Sequence, residues 1–235
     1  MTTNVKPLDF NPPYLYPDYK STTVVSPSRR PVILPKDWFE FGEGPAFGRI
    51  PVRPGDNDLV NGQGGRPQGQ RIVLSGRVLD SDGRPAPDVL IEIWQANASG
   101  RYVDVVDMQF QPVDPYFTGA GRTLTDSEGR FSFRTIRPGA YAGLRGGQFR
   151  PSHIHVSVFG WSLTTRLITQ CYFEGDPLIS YDAIAQSVGD PRGLDRLIAK
   201  LDFDANEPGD LDCALAYNWD IVLRGPRATP TEPVR

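Results

Sequence analysis

The chain has 235 residues, 39% hydrophobic and 23% charged, with a formal charge of −3, a composition that permits a sizeable buried core. It lacks the basic stripe that a nucleic-acid partner requires, and no apolar run reaches the about 20 residues of a membrane helix. Cys171 and Cys213 form no C-x-x-C pattern, which excludes a cysteine-rich zinc site; with no charged-then-apolar leader visible, a reducing, cytoplasmic setting is expected.

Eleven of the 23 prolines fall within residues 1–69, and that density predicts an irregular arm in place of helix or ladder strand. Leu15, Tyr19, Trp38, Phe41 and Phe47 make the arm too apolar for a solvated tail. It is expected to lie on its own core or on another subunit.

From residue 70 to 235 the pattern changes to short strands. "RIVLSGRVLD" runs to a turn at Ser81-Asp82-Gly83, and "DVLIEIWQA" follows, with Val89, Ile91 and Ile93 alternating against Leu90, Glu92 and Trp94. "GRTLTDSEGRFSFRTI" reads as a hairpin turning at residues 126–129. "HIHVSVFG", "RLITQCYFEG" and "YNWDIVLRG" complete the strands, and only "GLDRLIAKL", residues 193–201, has the spacing of a short helix. The expected architecture is all-β: an antiparallel β-sandwich with long loops, one short helix and the proline-rich arm.

Both of the chain's histidines, His153 and His155, sit two apart in one strand, so they share a face and Ile154 takes the other. Two imidazoles so placed can turn onto one ion, but further ligands are needed. Glu174 and Asp176 in "YFEGDP" would make a two-histidine, one-carboxylate site. Phenolates are the other option, because a hard trivalent cation stabilises the tyrosine anion at neutral pH. Tyr102 follows a Ser-Gly turn and Tyr141 a Pro-Gly turn.

The series "WQANASGRY", "TDSEGRFSFRTIRPGAY", "FRPSHIHV" and "LITQCYFEGDP" resembles the intradiol ring-cleavage dioxygenases, in order and near their spacing, from about residue 15 to residue 227. The resemblance is strongest to the protocatechuate-cleaving branch, which works in the catabolism of aromatic compounds. It implies one non-haem ferric ion, Fe(3+), per αβ unit, held by Tyr102, Tyr141, His153 and His155. Tyr141 would be the ligand that a catechol displaces. Arg150 would stabilise charge beside the substrate ring, with Gln170 orienting it. Tyr19, Trp94 and Ile184 would line the substrate pocket. The implied partner is a homologous α subunit whose own iron-ligand set is incomplete, with the pocket between the two chains.

One departure stands out. Gly143 occupies the place of a family tryptophan, which reshapes the pocket and opens the choice among substituted catechols (catechol, hydroxyquinol or 4-sulfocatechol types). A transthyretin-like binding module would share the sandwich and its turns, yet has no reason to carry the Tyr, Tyr, His-x-His set.

Overall fold

In the computed structural model the described residues are 51–61, 64–104, 107, 109–143, 149–160, 166–208 and 213–232. Tyr19 and the aromatic anchors of the arm lie outside them. Strand β1 (Arg71–Leu79) shows how the sequence makes a core: Ile72, Leu74, Gly76 and Val78 are buried and the residues between them are not. β2 (Leu90–Trp94) turns Ile91 and Ile93 inward, and β4 (Arg130–Ile136) does the same with Phe131 and Phe133. The remaining strands are β3 (Ala120–Leu124), β5 (Tyr141–Ala142), β6 (Phe149–Arg150), β7 (His153–Phe159), β8 (Arg166–Phe173), β9 (Ile198–Pro208), β10 (Cys213–Asn218) and β11 (Ile221–Val222).

Pairing runs β11-β1-β10-β9-β8-β7-β2-β3, with β4 on the other edge of β1, and β5 and β6 pair separately. Antiparallel pairs dominate, as expected, but β1 is parallel to β10 and β11, and β8 to β9. The inner faces of β1, β2, β4 and β7 meet in one apolar cluster. Leu59 and Val60, which belong to the arm as read from sequence, are buried in that cluster, and Leu59 N donates to Arg134 O at 2.8 Å.

Three details differ from the sequence reading. The turn at residues 126–129 forms, with Gly129 N donating to Asp126 O at 2.9 Å, but its strands do not make a hairpin. β3 pairs with β2 and β4 with β1, so the chain crosses there from one end of the pairing path to the other. Gly129 permits the crossing, since at its φ of +70° a Cβ would meet Val78 O at 2.6 Å.

The helix expected over 193–201 ends early. Asp190 caps helix α2 (Pro191–Asp195), and β9 takes over at Ile198. Both periods fit the apolar pattern: Leu194 and Leu197 join a satellite cluster, while Ala199 enters the main core. That satellite cluster sits under a 3-10 turn (Pro177–Tyr181) and helix α1 (Ala183–Gln186), which cover Tyr172 on β8.

"YNWDIVLRG" is likewise broken into β10 and β11. Asp220 Oδ1 accepts from Arg77 N at 2.8 Å, so a side chain stands in for a ladder carbonyl at the break. No helix among the described residues is long and apolar enough to cross a membrane.

Ile154 is buried in the core cluster while its neighbours face the opposite side. Ile154→Val should therefore cost about 1 kcal/mol in denaturant unfolding and leave the histidine face intact. Metal uptake equal to wild type is the accompanying result.

Candidate metal centre

Register brings the strand-borne half of the site together. His155 on β7 lies opposite Trp94 on β2 and opposite Gln170 on β8, and His153 lies opposite Tyr172. These residues share the outer face because period two puts Ile154, Val156 and Val158 in the core. The two imidazoles have centroids 4.9 Å apart, and Trp94 stacks on His155 at 5.0 Å and 4°.

Two loops deliver the tyrosines. Asn97 Oδ1 accepts from Ser99 N at 2.9 Å and Arg101 N at 3.0 Å, which folds the turn that presents Tyr102. Gly100 in this turn has φ +85°, and a Cβ there would meet Ala140 O at 2.7 Å and Tyr141 Cβ at 2.9 Å. A glycine is thus what lets the two tyrosine loops touch. Gly139 N donates to Asn97 O at 2.9 Å, and Gln109 Nε2 to Ala142 O at 2.7 Å, fastening the loops again. Tyr102 Oη then lies 3.3 Å from Tyr141 Oη, which lies 3.2 Å from His153 Nε2. All four residues proposed from sequence as ligands converge.

Proton positions follow from the partners. Pro151 O can only accept, so His153 Nδ1, 2.7 Å away, carries the hydrogen and Nε2 keeps its lone pair. Burial, then the nearby charges of Arg150 and His155, pushes the His153 pKa well down, so the ring stays neutral, as a metal ligand must be. Burial also raises the Tyr102 pKa, helped by Tyr141 and opposed by Arg150. Without a cation both phenols act as donors along the line Tyr102–Tyr141–His153, and a hard cation is what can replace those protons. Two phenol oxygens and two imidazoles fit such a cation. Among the described residues there is no group of three or more His, Cys, Asp or Glu side chains that could hold a metal ion. Glu174 accepts from Leu201 N at 3.2 Å, and Asp176 accepts from Ser152 N at 3.1 Å and Leu178 N at 3.0 Å. Both carboxylates are engaged by backbone.

Arg150 faces Tyr141 across the β5–β6 pair. Its Nε and Nη2 reach Asp182 Oδ1 and Oδ2, each at 3.0 Å, and Nη2 also reaches Gln170 Oε1 at 2.5 Å. Tyr172 Oη donates within the same group, to Gln170 Oε1 and Asp182 Oδ2 at 2.9 Å each. Burial alone would lower the Arg150 pKa, but the hydrogen bonds and charge of Asp182 outweigh it, so the guanidinium remains charged.

Asp182 and Tyr172 were not foreseen. Asp182 is legible as the N-cap of α1, where it accepts from Ala185 N at 3.3 Å, but its pairing with Arg150 spans 32 residues and has no local signal. Glu232 is a third such residue, with Oε2 3.8 Å from His155 Nδ1. His155, then Gln170 and Arg150, holds its carboxyl below the usual range despite partial burial. Ile184 on α1 lines a small crevice with Gln170, Tyr172 and Glu232. Trp94 supports the His155 ring.

A family model described as "Dioxygenase" matches residues 42–225. The protocatechuate 3,4-dioxygenase beta chain of Burkholderia cepacia is 48% identical over 226 residues, 94% of this chain and 94% of that one. The protocatechuate 3,4-dioxygenase alpha chain of Pseudomonas putida is 29% identical over 159 residues, 67% of this chain and 73% of the other. Among solved structures, the dioxygenase domain of a dioxygenase–carbohydrate-binding protein fusion from Streptomyces sp. SirexAA-E is 30% identical. It covers 77% of this chain and 94% of its own, with a TM-score of 0.52.

Gly100→Ala should part the tyrosine loops, through both the clash and the positive φ, and so lose metal affinity while the β-sheet circular dichroism persists. Equilibrium dialysis with ferric ion measures the loss. Asp182→Asn should cost about 2 kcal/mol in denaturant unfolding, because a partly buried guanidinium is left uncompensated. Metal content should hold while turnover falls.

Proposed function

The chain belongs to the intradiol dioxygenase family, and on that premise we propose that it is the iron-bearing, β-type subunit of a protocatechuate 3,4-dioxygenase. The reaction opens protocatechuate between its two hydroxyl-bearing carbons with O2 and yields 3-carboxy-cis,cis-muconate. The observation that carries this reading is the convergence of Tyr102, Tyr141, His153 and His155 at one end of β7. Identity of 48% along nearly the whole length supports the β-type assignment.

The donor set suits one ferric ion per αβ unit, since hard anionic phenolates favour that oxidation state. Bound there, ferric ion would supply the Lewis acidity that favours the catecholate form of the substrate. The chain's own residues supply the rest. Tyr141 Oη, next to both Tyr102 Oη and His153 Nε2, would be held as a phenolate able to accept a catechol proton. His153, held by Pro151 O, and His155, held by Trp94, stay fixed as it does so. Arg150 commits Nε and Nη2 to Asp182 and Gln170, which leaves Nη1 for the negative charge that develops on the ring. Both atoms of O2 enter the two new carboxylates, so the balance needs no outside reductant.

An α-type chain completes the site, as the similarity of this chain to both a beta and an alpha chain supports. Ile184 would border the pocket. A second reading rests on Gly143: without a large aromatic there, a differently substituted catechol fits the same chemistry.

Co-expression with an α-type chain tests both. The expected product is a reddish protein with one iron per αβ unit that consumes one O2 per protocatechuate. A colourless, iron-free complex would refute the metal reading. Turnover of another catechol with none of protocatechuate would favour the second reading.

A further inference from the structure

We infer that Glu232 is a positioning residue for His155: its carboxylate holds the hydrogen on Nδ1 and so commits Nε2 to the metal. The inference rests on the metal reading above and assigns the orientation of one ligand within it. His153 has its tautomer fixed by a backbone carbonyl, Pro151 O. His155 has no such carbonyl, and its Nδ1 is buried without a hydrogen-bond partner. Glu232 Oε2, 3.8 Å away, is the acceptor that the structure brings to that edge.

The approach is held by the chain that carries it. Glu232 N donates to Ile168 O at 2.7 Å, Thr231 Oγ1 donates to the same carbonyl at 2.9 Å, and Thr169 Oγ1 donates to Pro230 O at 2.7 Å. Residues 230–232 are therefore laced to β8, the strand that lies beside β7. Stacking on Trp94 fixes the plane of the His155 ring, so the remaining freedom is which nitrogen faces inward. A carboxylate on Nδ1 settles that choice, and its charge makes Nε2 a stronger donor than a neutral carbonyl would. His155 is then the more electron-rich of the two imidazole ligands.

The test compares Glu232→Ala and Glu232→Gln with wild type in the co-expressed complex. Iron release to a chelator should be about 10- to 100-fold faster in Glu232→Ala, with a shifted tyrosinate charge-transfer band. Glu232→Gln keeps an acceptor without the charge and should fall between. A second readout needs no iron. The full chain has only two histidines, so imidazole 15N spectra of the metal-free chain resolve both. His155 should be the Nδ1–H tautomer in wild type and a mixture in Glu232→Ala, with His153 unchanged. Wild-type release and an unchanged His155 tautomer in Glu232→Ala would overturn the inference while leaving the metal reading intact. An iron-free wild-type complex would instead defeat the metal reading.

Discussion

The site depends on the two-residue period of β7. Ile154, Val156 and Val158 enter the core, so the strand cannot slip by one residue without burying His153 and His155 in apolar surroundings. Hydrophobic packing on one face thereby fixes the two histidines on the other. The same lock extends sideways, since Trp94 and Gln170 flank His155 only in the register that core packing selects.

Around that strand the electrostatics are closed almost pairwise. Arg150 brings a positive charge into a half-buried pocket, and Asp182 answers it with both carboxylate oxygens. A buried ion pair of this kind is weak evidence of net stability, but it holds a guanidinium in one orientation. Gln170 and Tyr172 add to the hold on Nη2, so the arginine is oriented before any substrate arrives.

How much of this the sequence reveals follows the range of each interaction. The His-x-His strand is legible because alternation is local, and the β-rich architecture because β-branched and aromatic runs lie between turns. The turn at residues 126–129 is legible too. The crossing between distant strands that it performs is not, because the same four residues would serve a hairpin. Residues 193–201 mislead for a related reason: Leu194, Leu197 and Ala199 satisfy both a helical stripe and a strand packed between two clusters. Tyr102 and Tyr141 become candidate ligands only once family resemblance is added, since their meeting depends on Gly100 fitting under Ala140 O. Asp182 and Glu232 have no local pattern that names their partners.

The position of β1 also sets the order of events during synthesis. One of its edges is completed by β10 and β11, with contacts such as Arg77 N to Asp220 Oδ1 that join residues 143 apart. A nascent chain can zip β4 onto β1 early, but the other edge stays bare until β10 and β11 have left the ribosome. Such long-range parallel pairing folds slowly and exposes a sticky edge meanwhile. The core strand β1 therefore closes its second edge only once β11 has been made.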